Sequence, residues 1–336
     1  MKKGEFGLID HIRATFATPP TGFVGIGDDC AIMAADGESN LLISTDMVIE
    51  GVHFLRNDAR PEDVGHKSAA VNISDIAAMG GEPVATFLSI ALPKDAQGEW
   101  VERFLEGYRA VSEQYGVALL GGDTTSSLTG LAISITAIGD APKDKVVYRN
   151  GAQETDLICV SGNLGAAYMG LQLLEREKSV FMGEGNAQPD FAGKEYLLER
   201  QLKPEARRDI IAALAEAGIQ PTAMMDISDG LSSELVHICK QSGKGCRVYE
   251  EHIPLDYQTA VMAEEFNMNV ITCALNGGED YELLFTVPLT DHEKVSKLEG
   301  VRLIGHITKP ELGCMLITRD GGEMELRAQG WEALKD

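Results

Sequence analysis

Residues 156–177 read DLICVSGNLGAAYMGLQLLERE. An apolar, β-rich run ends in a glycine turn, and apolar residues then recur at helical spacing. The segment predicts a strand, a tight turn and a helix, and sets the class as mixed α/β. Just upstream, APKDKVVYRNGAQETD (141–156) loses the apolar pattern altogether. This lapse marks a boundary, with one domain over 1–143 and a second over 144–336.

The same alternation extends both ways. Upstream, LLISTDMVIE (41–50), VATFLSIALP (84–93) and LAISITAIGD (131–140) predict strands, and GVALLGGDTTSS predicts a strand running into a loop. SAAVNISDIAAMGG (68–81) predicts a helix stopped by its glycines. Trp100, Phe104, Tyr108, Val111 and Tyr115 fall on one helical face between residues 97 and 115. Downstream, a polar insertion covers 183–200, and PEARRDIIAALAEAG predicts a helix with proline in its first turn. MMDISDG leads into the helix LSSELVHICKQ, and NGGEDYELLFTVP and VRLIGHIT predict strands.

Composition narrows the function. The 336 residues carry 29 Lys and Arg against 52 Asp and Glu, a formal charge of −23. So acidic a chain is a poor partner for nucleic acid, which is held by Lys and Arg displacing counterions. The six cysteines are scattered without a C-x-x-C pair, so neither a zinc site nor a disulfide framework is expected. MKKGEFGLIDHI lacks the apolar core of a signal peptide, and no apolar run approaches the ~20 residues of a membrane helix. A cytoplasmic setting without membrane attachment is the expectation.

Apolar segments run repeatedly into short acidic motifs: GIGDD (Asp28, Asp29), ISTD (Asp46), GGDTT (Asp123), MMDISD (Asp226, Asp229) and NGGED (Glu279, Asp280). Asp75 adds another inside a helical pattern. Singly, each has an ordinary explanation as turn or cap chemistry. Collected on the rim of a sheet, they would repel one another unless cations intervened, and oxygen-only ligands favour Mg²⁺ or Mn²⁺ over Zn²⁺. The pattern points to metal-bridged phosphate chemistry. Neither a Walker loop nor a kinase H-R-D/D-F-G pair is present, and no Ser/His/Asp or Cys/His pairing announces a covalent intermediate. SGNLGAAY (161–168) offers backbone N–H groups at a helix start as a weaker phosphate signal.

GIGDDCAIM, ISTDMVIEGVHF, KSAAVNISDIAAMGGEP, GGDTT, YRNGA, DISDGLSSEL and LNGGEDYELLFTV occur in the order found in the thiamine-monophosphate kinases, which this chain resembles from about Gly4 to Trp331. The family belongs to the aminoimidazole-ribonucleotide-synthetase superfamily. The resemblance implies a two-domain α/β (α+β) fold, with an N-terminal sheet forming a barrel in a homodimer and a C-terminal α/β sandwich. It implies ATP-dependent phosphorylation of thiamine monophosphate to thiamine diphosphate, with several Mg²⁺ ions. By motif it implies metal binding at Asp29, Ser44, Thr45, Asp46, Asp75, Asp123, Asp226 and Asp229. Gly122, Asp123, Arg149, Ser228 and Tyr108 are the implied nucleotide contacts, and His53, Glu279 and Trp331 the implied thiamine-monophosphate contacts.

The chemistry agrees with that reading. A phosphate acceptor has its second ionisation near ~6 and is a ready nucleophile at neutral pH, so no catalytic base is required. Phosphoryl transfer then rests on positioning and charge neutralisation. Sister activities fit less well. A selenophosphate synthetase would carry a reactive cysteine in its N-terminal loop, where this chain has none before Cys30. An aminoimidazole-ribonucleotide synthetase would show a DGVGTK-like motif in place of STDMVIEGVHF. A non-catalytic binder of metal or nucleotide is separated from these by phosphoryl transfer itself.

Overall fold

The structure, a computed structural model, describes residues 5–15, 21–35, 37–56, 59–183 and 191–327. The N-terminal half holds strands β1 (Phe23–Val24), β2 (Ala31–Ala34), β3 (Ser39–Ile49), β4 (Glu82–Leu92), β5 (Ala118–Ser126) and β6 (Ala132–Pro142), with helices α1 (Glu5–Thr15), α2 (Pro61–Ala78) and α3 (Glu99–Tyr115). The C-terminal half holds helices α4 (Ala166–Gly183), α5 (Glu195–Leu202), α6 (Arg208–Glu216), α7 (Leu231–Ser242), α8 (Tyr257–Glu265), α9 (Val270–Asn276) and α10 (His292–Val295). Its strands are β7 (Leu157–Ser161), β8 (Ala223–Asp226), β9 (Gly245–Tyr249), β10 (Leu283–Val287), β11 (Val301–Thr308), β12 (Cys314–Ile317) and β13 (Glu323–Glu325).

Two sheets result, ordered β1-β2-β3-β6-β4-β5 and β13-β12-β9-β11-β7-β10-β8. Both are antiparallel except for the pairs β4–β5 and β9–β12. Mixed α/β content is therefore confirmed, in its α+β form. β7 and β10 are buried at every residue, as strands covered on both faces should be.

Helix α2 is the hinge of the arrangement. It starts at Pro61, seven residues earlier than its apolar pattern suggests, with proline at its first position, where no N–H is needed. It packs against α3 across two glycines. A Cβ on Gly65 would lie 2.0 Å from the Phe104 carbonyl oxygen, and one on Gly107 would lie 1.9 Å from that of Glu62. The backbones thus meet where no side chain fits. Fifteen of its residues are buried, among them Lys67, Ser68, Asn72 and Ser74. Polar groups buried so thoroughly need partners, and α2 finds them in both halves.

Three expectations are corrected. GGDTT is not a loop: it lies inside β5, the edge strand of the first sheet, where every residue is exposed. A Cβ on Gly122 would lie 1.7 Å from the Leu88 carbonyl oxygen, so glycine lets β5 close on β4. Pro204 precedes α6 by four residues rather than entering its first turn, and NGGEDY forms an irregular turn before β10. Within the insertion, residues 184–190 fall outside the described residues, and α5 occupies its end.

Candidate active site

A cavity of about 1470 Å³ opens between the halves. α2 lines it with Val64, Lys67, Val71 and Asp75, one helical face at spacings of three and four. β3 contributes Ser44 and Asp46 from the same face of the strand, and the turn after β8 contributes Ser228 and Asp229.

Asp29, Asp75 and Asp226 bring carboxylate oxygens within 4.8 Å of one another. They come from the loop before β2, from α2 and from the end of β8. The expected rim of a single sheet is therefore not the site; two sheets and a helix converge on it. At 4.8 Å, two unit charges repel by about 3 kcal/mol at an effective dielectric of about 20. Three such pairs approach the ~5–15 kcal/mol stability of a whole domain, so the cluster needs protons or cations. The titration directions agree. Burial pushes the Asp226 carboxyl up to about 7, with the Asp29 charge adding to it. Asp75 is driven well above the carboxylate range by burial and by Asp46, Asp226 and Asp29. Asp46 is raised by burial, against a hydrogen bond with Asp75.

The surrounding contacts fix these groups. Ser74 Oγ donates to Asp226 Oδ2 at 2.5 Å, linking the two halves through α2. Ser44 Oγ donates to Asp75 Oδ2, and Asn72 Oδ1 accepts the Asp46 N–H at 3.1 Å. The paired aspartates of GIGDD hold one arginine between them. Asp28 accepts the Arg149 backbone N–H at 2.7 Å, and Asp29 accepts its guanidinium. Asp29 Oδ2 and Arg149 Nε are buried without a hydrogen-bond partner. The Asp229 N–H donates to Glu234 Oε1 at 2.9 Å, so α7 reaches back to hold the DISDG turn.

Other expected site residues lie around the same cavity. His53 accepts the Ile49 N–H on Nδ1 at 3.0 Å, which leaves Nε2–H as the donor of the neutral ring. Glu279, held at φ +58°, accepts from Lys67 Nζ at 2.8 Å and Gln201 Nε2 at 2.7 Å. The sequence reading missed Lys67 and Gln201. Lys67 lies eight residues before Asp75 on one helical face, a signal that was available; Gln201 follows the polar insertion and gave none.

Some expected residues stand apart from the acidic cluster. Thr45 points to the opposite face of β3 from Ser44 and Asp46 and donates to the Ile135 carbonyl at 3.0 Å. Gly122 and Asp123 lie on exposed β5, and Tyr108 is a core residue whose hydroxyl donates to Thr86 at 2.7 Å. Trp331 lies outside the described residues. The backbone groups of SGNLGAAY are already engaged: Gly165 and Ala167 donate to Asp280, at 2.7 and 3.3 Å.

Comparison with known proteins places this geometry in a class. The profile of the AIR synthase related protein N-terminal domain matches residues 27–141, and that of the C-terminal domain matches 153–311. The class is thus that of the AIR-synthase-related proteins, with both halves represented. Within it, the thiamine-monophosphate kinase of Aquifex aeolicus (strain VF5) is 36% identical over 317 residues, 92% of this chain and 96% of that protein. The Bacillus subtilis (strain 168) enzyme of the same name is 32% identical over 337 residues, 98% and 99% of the two chains. A solved complex of AaThiL with AMPPCP and TMP superposes with a TM-score of 0.83 at 36% identity, covering 98% of this chain and 97% of that one. The chain belongs to the thiamine-monophosphate kinase family.

Proposed function

We propose that this protein transfers the terminal phosphoryl group of ATP to thiamine monophosphate, giving thiamine diphosphate and ADP. The observation that carries the reading is the convergence of Asp29, Asp75 and Asp226 in a cavity lined by both halves, in a chain of this family. AMPPCP is a methylene analogue of ATP, so the AaThiL complex holds counterparts of both substrates.

The cluster fits magnesium. Its donors are oxygens only, Asp29 Oδ2 is buried without a partner, and burial raises its neighbours as it does carboxylates lacking a counter-ion. Asp29, Asp46, Asp75, Asp226 and Asp229 would hold several Mg²⁺ ions, with Ser44 and Thr45 of β3 lining the same cavity. Bound magnesium supplies positive charge where negative phosphate oxygens gather. Arg149, clamped by Asp28 and Asp29, adds a protein cation beside Asp226, and meets nucleotide phosphates together with Ser228. The His53 Nε2–H donates to the acceptor phosphate. Glu279, oriented by Lys67 and Gln201, holds the thiamine end, with Trp331 alongside. No side chain takes a proton from the acceptor, because the phosphate is already ionised.

The remaining expectations fit the same reading. The boundary at 143/144 lies between the end of β6 at Pro142 and the start of β7 at Leu157. Exposed β5 presents an unpaired edge bearing Leu119 (46% exposed) and Leu120 (63%), a surface that natural sheets cover. A homodimer closing this edge into a barrel would bury them and bring Gly122 and Asp123 to a shared nucleotide site, with Tyr108 supporting it from the core behind. Six free cysteines suit a cytoplasmic protein, and no helix among the described residues is long and apolar enough to cross a membrane.

The test is turnover. Protein with ATP, Mg²⁺ and thiamine monophosphate is expected to release thiamine diphosphate and ADP in equal amounts, and free thiamine is expected to give neither. Folded protein that binds ATP yet forms no diphosphate would refute the reading.

A further inference from the structure

The six cysteines carry no motif, yet three of them meet. Cys239 lies near the end of α7, Cys246 in β9 and Cys314 at the start of β12, and their three sulfurs lie within 4.8 Å of one another. β9 and β12 run parallel with Cys246 and Cys314 directly opposite, so both thiols leave the same face of the sheet, and α7 lays Cys239 over them. All three are free thiols. Among the described residues, no histidine or carboxylate joins the group. Its surroundings are the apolar core of the C-terminal half, which includes Ile238, Val248, Ile307 and Leu316. Cys239 and Cys246 are buried, while Cys314 is partly exposed and gives the group an opening to solvent.

We propose that Cys239, Cys246 and Cys314 form a three-sulfur capture site for a trivalent thiophilic metalloid of the arsenite class. Ligand number and charge select that class. Zn²⁺ on three thiolates needs a fourth ligand and leaves one negative charge in an apolar core; Cu⁺ on three thiolates leaves two. An uncompensated buried charge costs several kcal/mol. A trivalent centre on three thiolates is neutral and uses only these three ligands. Arsenous acid reacts with three thiols to give the tris-thiolate and three waters: three As–O bonds break, three As–S bonds form, each thiol proton leaves in a water, and arsenic stays trivalent. The thiol at the opening is the natural starting point.

The experiment uses the reduced full chain incubated with arsenite, then native mass spectrometry and a count of free thiols. A single arsenic per chain is expected, with three of the six thiols protected and a rise in the thermal unfolding midpoint. Cys314→Ser, at the partly exposed position, is expected to abolish arsenic binding while keeping the wild-type midpoint without arsenic. The triple variant Cys30→Ser/Cys159→Ala/Cys273→Ala is expected to bind as wild type does; should it fail to fold, covalent mapping of the three unprotected thiols in the wild type serves instead. No bound arsenic, binding that survives in Cys314→Ser, protection of Cys30, Cys159 or Cys273, or preference for equimolar Zn²⁺ would each overturn the proposal.

Discussion

Two acidic regions of the molecule are built on opposite principles. Around Glu282, which is 1% exposed, the protein supplies its own cations. Arg200 Nη1 reaches Oε1 at 2.8 Å, Arg207 binds Oε2, and Ser161 Oγ adds a bond at 2.5 Å. Neighbouring Asp280 receives the N–H groups that open α4. The charges there are answered from within the chain. Around Asp29, Asp75 and Asp226, Arg149 is the one cation among the described residues paired with an aspartate of the cluster, and Asp29 Oδ2 is left without a partner. Saturated carboxylates hold a fold together; under-neutralised ones await something from solution. Both acids of NGGED belong with the first kind: Asp280 is answered by the N–H groups that open α4, and Glu279, although it lines the cavity, by Lys67 and Gln201.

The comparison can be broken by substitution. Asp75→Asn and Asp226→Asn are each expected to lower turnover of thiamine monophosphate by about two to three orders of magnitude, the scale for losing electrostatic stabilisation at a reacting centre. The same changes are expected to leave the metal-free protein as stable as wild type or more so, because each removes a repelling charge. Steady-state kinetics and urea unfolding without metal check both halves of that statement. Glu282→Gln should behave in the opposite way. Two partly buried arginines lose the charge of the buried carboxylate they share, and stability is expected to fall by about 3 kcal/mol in urea unfolding.

A pH series sharpens the contrast further. Asp226 in the folded protein titrates at about 7 against an ordinary value of 3.8, so the folded state holds the extra proton. Its stabilising contribution is complete below 3.8 and is lost as pH rises through about 7. Measured without metal, the stability of wild type relative to Asp226→Asn is therefore expected to decline between those values, and added Mg²⁺ to reverse the decline. The smallest expected effect is Asp280→Ala. It removes the acceptor at the start of α4 and is expected to cost about 1–2 kcal/mol by thermal unfolding.

How much of this was legible in the sequence follows from the range of the interactions. Strands and helices were readable because their periods are local: β3, β4, β6, α3 and α7 fall where apolar spacing puts them. α2 was cut short because Asp63 and Lys67 look like a solvent face, whereas its polar residues are buried against partners in both halves. The acidic motifs were visible one by one, and order along the chain tied them to a family. That Asp226 would meet Ser74 and Asp75 was not visible, since the bond to Ser74 spans 152 residues. GGDTT looked like a loop because glycine and aspartate favour turns, yet Gly122 is needed for strand closure. The cysteine group escaped for the same reason of distance, its members being supplied by a helix and two strands that only the sheet order unites.

The most direct measurement is a titration of metal-free protein with Mn²⁺, read by the loss of its free paramagnetic signal. Asp75→Asn and Asp226→Asn would be titrated in parallel. If the cluster is one metal centre assembled from both halves, each substitution alone abolishes the tightest binding seen in wild type, and Glu282→Gln leaves it in place. Tight Mn²⁺ binding that survives both aspartate changes would contradict the account.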